Sequence, residues 1–336
     1  MNPYVVDRLR CPVCAEPLAE AVAGTARTLR CPRRHSFDVA RQGYVNLLAG
    51  RAPHVGDTAE MVAARSDFLA AGHYAAISTA LTDAARTATL AATEPTDSTR
   101  TGAARTEAVR TGAARTEAAR TEAVRTGAAR TEAVPPDRTD EPGRAAYPLV
   151  VDAGGGTGWH LAAVLAALPG AVGLTLDVSK PALRRAARAH PRAAAALVDT
   201  WQRLPLADGC VAVLLNVFAP RNGAEFRRVL AADGRLLVVT PAEDHLTELV
   251  DALGLLRVDP AKADRVAGSL AGHFTEVAAT VLRGRLSLTH AEVGTLVGMG
   301  PSAWHTDPGA LAERIATRPE PVTVTLAVRL GVHRPR

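Results

Sequence analysis

The nine residues Val150-Val151-Asp152-Ala153-Gly154-Gly155-Gly156-Thr157-Gly158, VVDAGGGTG, decide how this chain is to be read. Apolar, β-branched residues closing on an acid predict a buried strand that ends at Asp152. Gly154, Gly156 and Gly158 then let backbone N–H groups approach a ligand where side chains would clash, and a helix opening at Trp159 sets its N-terminus beside them. A dinucleotide fingerprint, GxGxxG, would need a small residue at 159, and the residue there is Trp159. The spacing suits S-adenosylmethionine (SAM) better than a nicotinamide cofactor. On this reading Asp152, Gly154, Gly156 and Gly158 form the floor of the cofactor pocket.

Outward from the loop, strands alternate with helices. WHLAAVLAALP reads as a helix, AVGLTLDV as a strand, KPALRRAARAHP as a helix, AALVD and CVAVLLNVF as strands, GAEFRRVLAADG as a helix ending in glycine, and RLLVVTP as a fifth strand. TEVAATVLRGRLSL and PVTVTLAVRLGV add two strands, expected as an antiparallel pair closing the sheet edge, with helical AEVGTLVGMG between them. The class is α/β: a Rossmann-like, mostly parallel seven-stranded sheet with helices on both faces. Asp177 ends the second strand, where a carboxylate accepts hydrogen bonds from ribose hydroxyls, and Asp199 ends the third, near the expected adenine.

Toward the N-terminus, Cys11, Cys14, Cys31 and His35 give C-x2-C-x16-C-x3-H, the spacing of two knuckles around tetrahedral zinc. Four protein ligands leave no position for water, so Zn2+ is expected to be structural rather than catalytic. The fourth cysteine, Cys210, lies beside an apolar strand as a small hydrophobe. Arg33, Arg34 and Arg41, with Arg30, Phe37 and Tyr44 nearby, make the knuckle a candidate RNA contact. The competing reading, that Phe37 and Tyr44 are core and the arginines merely solvated, weighs equally.

Between the halves, residues 100–134 repeat a five-residue unit seven times, alternating RTGAA, RTEAV and RTEAA. A period of five fits no single helical stripe, so the segment reads as a solvated insert. Its seven arginines and four glutamates supply +3 of the formal +5 charge, and bulk charge is therefore no argument for nucleic acid. The organisation expected is 1–48 zinc-binding, 49–91 helical, 92–146 linker and 147–334 SAM-dependent methyltransferase. No apolar run approaches the ~20 residues of a membrane span, and the first residues lack the pattern of an export signal. Hence a cytoplasmic protein without a membrane partner is expected.

CPVC, CPRRHSFDVARQGYVNLL, GDTAEMVAARSDFLAAGHY, LDVSKPALRRAARAHP, NVFAPRN, TPAEDHL and GMGPSAWH occur here in that order. Together they resemble the bacterial 23S rRNA (guanine-N1)-methyltransferases of the RlmA type, most closely the macrolide (tylosin)-resistance branch. The resemblance spans nearly everything outside residues 85–146 and does not require the pentad insert. It implies zinc on Cys11, Cys14, Cys31 and His35, and SAM contacts at Tyr74, Gly156, Thr157 and His245. It also implies methylation of guanine N1 in a hairpin loop of 23S rRNA domain II at the peptide exit tunnel, with reduced macrolide binding. Taken as single residues, Tyr74 equally suits the core, and His245 equally suits a helix cap or a pair with Glu243 or Asp244. Asn216 of NVFAP is expected to orient the target base; an amide is no base, and the group that takes the N1 proton stays open. The sequence leaves a homodimer open. A methyltransferase of a small natural product shares the core but has no need of an arginine-rich zinc knuckle.

Overall fold

A computed structural model of the chain describes residues 1–23, 26–48, 50, 56–93, 147–255, 268–300, 303 and 307–336. The pentad repeat, and the linker from residue 94 on, lie outside the described residues, as do Trp304 and His305 of the GMGPSAWH motif. Residues 1–94 and 147–336 form one compact unit.

All seven strands expected after the insert are present: β5 (Leu149–Ala153), β6 (Val172–Asp177), β7 (Ala193–Leu197), β8 (Val211–Val217), β9 (Leu230–Pro241), β10 (Phe274–Leu288) and β11 (Val322–Pro335). The N-terminal part contributes β1 (Ala19–Ala23), β2 (Ala26–Arg30) and β3 (Ser36–Asp38), a small antiparallel sheet, and then β4 (Tyr44–Asn46). β4 joins the main sheet as an eighth strand, giving the order β10-β11-β9-β8-β5-β6-β7-β4. It runs parallel to β7 with Tyr44 opposite Ala195. β11 is antiparallel to both β9 and β10, as the edge pair expected from the sequence.

From β5 the chain steps to β6 and β7 on one side, then returns to β8 and β9 on the other. That reversal opens a crevice at the carboxyl ends of β5 and β8, the place where open α/β sheets bind ligands. Side-chain alternation divides the core. Val150, Val213 and Leu215 pack toward helices Ala59–Ala70, Ala75–Thr93 and Trp159–Ala167. Leu149, Val151 and Leu214 pack on the opposite face with Val5, Leu9, Leu29, Val45 and Leu47, and with Cys11 and Cys31. The zinc segment thus supplies part of the second face's cover.

One boundary differs from the sequence reading. The helix over GAEFRRVLAADG stops at Val229, and β9 begins at Leu230, which is extended and pairs with Val211. Gly234 is therefore no helix cap. A Cβ there would lie 2.9 Å from Leu230 Cγ and 3.0 Å from the Val211 and Ala212 carbonyl oxygens, so glycine permits the close strand contact.

Candidate functional site

The loop after β5 builds the pocket floor. Gly154, Gly156 and Gly158 all have positive φ, the region that only glycine enters freely. A Cβ at Gly154 would lie 2.5 Å from Ala219 Cβ, and one at Gly158 3.1 Å from Ala186 Cα. Asp177 anchors the loop from the next strand: its Oδ2 accepts from Gly156 N–H (2.9 Å) and its Oδ1 from Ser179 N–H (2.8 Å). Each oxygen keeps a second lone pair for a ligand hydroxyl. Asp199 Oδ1 accepts from Trp201 N–H (3.0 Å), while its buried Oδ2 has no partner.

Asp152 lies beneath the loop, 1% exposed, with neither carboxylate oxygen hydrogen-bonded. Burial, reinforced by the charge of Asp177, pushes its carboxyl up to about 7. An orphaned acid of this kind asks for a cationic or hydrogen-bond-donating ligand.

These residues open on a cavity of about 880 Å³, roomy for a nucleoside-sized ligand. Tyr74, Asp152, Gly154, Gly156, Thr157, Asp177, Asp199 and His245 all line it, so the structure gathers nearly all the cofactor residues expected from the sequence. Gly158 stands behind them as the cap of helix Trp159–Ala167. Tyr74 is at once core and lining. It is buried, its ring 5.1 Å edge-on to Phe68, 6.1 Å from Phe218 and 6.4 Å from His245. His245 makes neither pair considered for it. Its Nδ1 accepts from Ala327 N–H of β11 (3.2 Å), which puts the ring proton on Nε2. Burial lowers its pKa to about 4 against the nearby charge of Asp244, so the ring is neutral.

Asn216 is fully buried and is not a lining residue. Its Nδ2 donates to Ala153 O (3.2 Å) and Pro220 O (2.8 Å), tying the end of β5 to the loop after β8. Val217, Phe218, Ala219 and Pro220 do reach the cavity, and of these Phe218 is 41% exposed, with φ +52° and its ring stacked at 21° on His245. Sequence reasoning passed over Phe218, and also Asp57, Arg65, His160 and Met299, all of which line the cavity. Phe218 carried a signal, an aromatic two residues after Asn216 at a strand end. Arg65 carried none, because a helical sequence does not say which face meets a glycine loop ninety residues later.

The metal centre lies in the N-terminal segment. Ligand atoms of Cys11, Cys14, Cys31 and His35 all fall within 4.8 Å of one another. Cys14 Sγ is 3.6 Å from Cys31 Sγ, and His35 Nδ1 is 3.5 Å from Cys11 Sγ and 3.4 Å from Cys31 Sγ. Zinc bonds of ~2.3 Å to sulfur and ~2.0 Å to nitrogen require tetrahedral edges of about 3.5–3.8 Å. Those separations fit a Cys3His zinc site with no open position. Ala15 and Arg34, non-glycine residues at positive φ, shape the two knuckles. Tyr44 is buried and Phe37 packs against the core, which settles their role, whereas Arg33, Arg34 and Arg41 are exposed. Arg33 has a 3.5 Å pair with Glu16.

A parallel sheet reversing at β5 and β8, a glycine loop flanked by strand-end acids, and a structural zinc site define a SAM-dependent methyltransferase with an N-terminal zinc ribbon. Residues 9–52 match the family model described as RlmA, N-terminal. A Micromonospora griseorubida protein, provisionally named 23S rRNA (guanine-N(1)-)-methyltransferase, is 60% identical over 336 residues, covering 100% of both chains. The 23S rRNA (guanine(748)-N(1))-methyltransferase of Streptomyces fradiae is 47% identical over 335 residues, covering 100% of this chain and 99% of that one. The chain belongs to the 23S rRNA (guanine-N1)-methyltransferase family.

Proposed function

We propose that this protein transfers the methyl group of SAM to N1 of a guanine in 23S rRNA. The guanine would lie in a hairpin loop of domain II at the peptide exit tunnel, and its methylation would reduce macrolide binding. The observation that carries the reading is the continuity of the two sites. The zinc knuckle with its exposed Arg33, Arg34 and Arg41 runs straight into β4, a strand of the sheet that bears the cofactor cavity. RNA held on the knuckle is therefore held in fixed register with the cavity. No helix among the described residues is long and apolar enough to cross a membrane, and an rRNA substrate is in keeping with a cytoplasmic protein.

SAM supplies an electrophilic methyl group, and the work of the protein is to align a nucleophile with it. Asp177 and Asp199 would hold ribose and adenine, and Asp152 would face positive charge. Phe218 offers its exposed ring as a platform for a guanine that has left its stack, a cheap step in a loop. His245 enters as a donor: a neutral ring whose Nδ1 already accepts a hydrogen bond has only Nε2–H to offer. A donor of that kind stabilises negative charge building on a guanine oxygen as the N1 proton passes to water. Asn216 acts through the backbone, fixing Ala153 and Pro220, and through them the Phe218 turn.

Purified protein, labelled SAM and protein-free 23S rRNA test this directly. N1 methylation blocks Watson–Crick pairing, so primer extension should stop one nucleotide before the modified guanine. Label passing into small molecules and never into rRNA would overturn the reading.

A further inference from the structure

The cavity has an uneven charge. Asp57, Asp152, Asp177 and Asp199 line it, and Arg65 is the one lysine or arginine among the described lining residues. His160 and His245, the lining histidines, both have pKa values lowered to about 4 by burial and carry no charge at neutral pH. Arg65 projects from helix Ala59–Ala70 over the glycine loop, its Nη1 only 3.1 Å from where a Cβ on Gly156 would stand. Its Nη1 pairs with Asp57 at 2.5 Å, and its Nη2 donates to Met299 O at 2.9 Å. A guanidinium has five N–H groups in a planar fork, so two bonds leave three donors to spare.

SAM carries an ammonium, a sulfonium and one carboxylate. Four acids suit the cations and the hydroxyls, but the carboxylate needs a cation, and the described lining offers a single one. We infer that Arg65 receives the SAM carboxylate, which fixes the amino-acid end of the cofactor against helix Ala59–Ala70 and the adenine end at Asp199. Asp57 and the Met299 carbonyl then act as positioning groups that hold the fork over the loop. The assignment rests on SAM being the cofactor.

Calorimetric titration of the zinc-loaded full-length protein with SAM and with decarboxylated SAM separates a ligand contact from a structural role. Arg65→Gln should weaken SAM binding about 10- to 100-fold, the size of a lost charge-assisted pair, while changing the affinity for decarboxylated SAM less than threefold. Arg65→Lys, which keeps the charge without the fork, should fall between and serves if the glutamine variant is unstable. Equal losses for both ligands, or no loss for SAM, would overturn the assignment. Failure of the wild-type protein to bind SAM at all would instead remove the cofactor, and Arg65's role with it.

Discussion

Replacing Asp152 with asparagine probes the pocket's electrostatics in one substitution of nearly unchanged shape. In the free protein this carboxyl titrates at about 7 rather than its ordinary 3.8, chiefly because burial penalises the charged form and secondarily because Asp177 is close. At 1.36 kcal/mol per unit, the shift corresponds to about 4 kcal/mol between the two protonation states. The folded value lies above the unfolded one. The stability this group contributes is therefore fully present below pH 3.8, is lost progressively as pH rises, and is gone above about pH 7. Asparagine, neutral throughout, escapes that loss.

Urea denaturation of SAM-free wild-type and Asp152→Asn protein should show the variant gaining on the wild type by about 2 kcal/mol between pH 5.5 and 7, with the gap flat above. Taking the difference between proteins cancels the titration of the zinc ligands; Asp177, whose pKa burial also raises, is coupled to Asp152 and titrates with it. SAM should reverse the order. Its cationic groups stabilise the ionised Asp152, so wild-type affinity should tighten about fivefold from pH 6 to 7, while the variant binds more weakly and without that slope. A variant less stable than the wild type at pH 8, or matched pH slopes for the two proteins, would refute the reasoning.

Gly154→Ala should weaken SAM binding by more than tenfold and lower stability by about 1–3 kcal/mol, measured by titration and melting, because its Cβ would stand 2.5 Å from Ala219 Cβ at a φ of +74°. Phe218→Ala should raise KM for rRNA fragments with SAM affinity within threefold, since half-exposed Phe218 lines the mouth without carrying the loop. Asn216→Ala should cost kcat, with SAM affinity and the zinc content unchanged, because it frees the Ala153 and Pro220 carbonyls and loosens the turn that presents Phe218.

The fold was readable because each layer of the signal had a physical origin. Strand-length apolar runs ending at Asp152, Asp177 and Asp199 stated both the parallel sheet and the pocket edge. The knuckle spacing named the zinc ligands, whose side chains meet within 4.8 Å. Two kinds of feature were illegible. β4 is three residues, too short to show a period, and it exists because Tyr44–Asn46 finds the open edge of β7. The roles of Asn216 and Phe218 depend on a positive-φ turn, which turns the aromatic rather than the amide toward the cavity. The aromatic in NVFAP is visible in the sequence, but the backbone turn that exchanges it for the amide is not.

Packing also alters what zinc removal should do. Read as a separate module, the ribbon would melt without disturbing cofactor binding. Cys11 and Cys31 are instead buried in the cluster that covers one face of the sheet, alongside Val151 of β5 and Leu174 of β6. Val45 of β4 and Leu47 just after it are buried there too. Structural zinc contributes ~10–16 kcal/mol to the folding of isolated fingers, as large as the ~5–15 kcal/mol by which whole domains are stable. Losing it should therefore cost the main sheet its β4 edge and part of its cover. Cys11→Ala should bind no zinc by a colorimetric chelator assay, should melt at a markedly lower temperature, and should bind SAM more weakly than the wild type at 25 °C. A variant that lost zinc but kept the wild-type melting temperature would show that the second face closes without the ribbon.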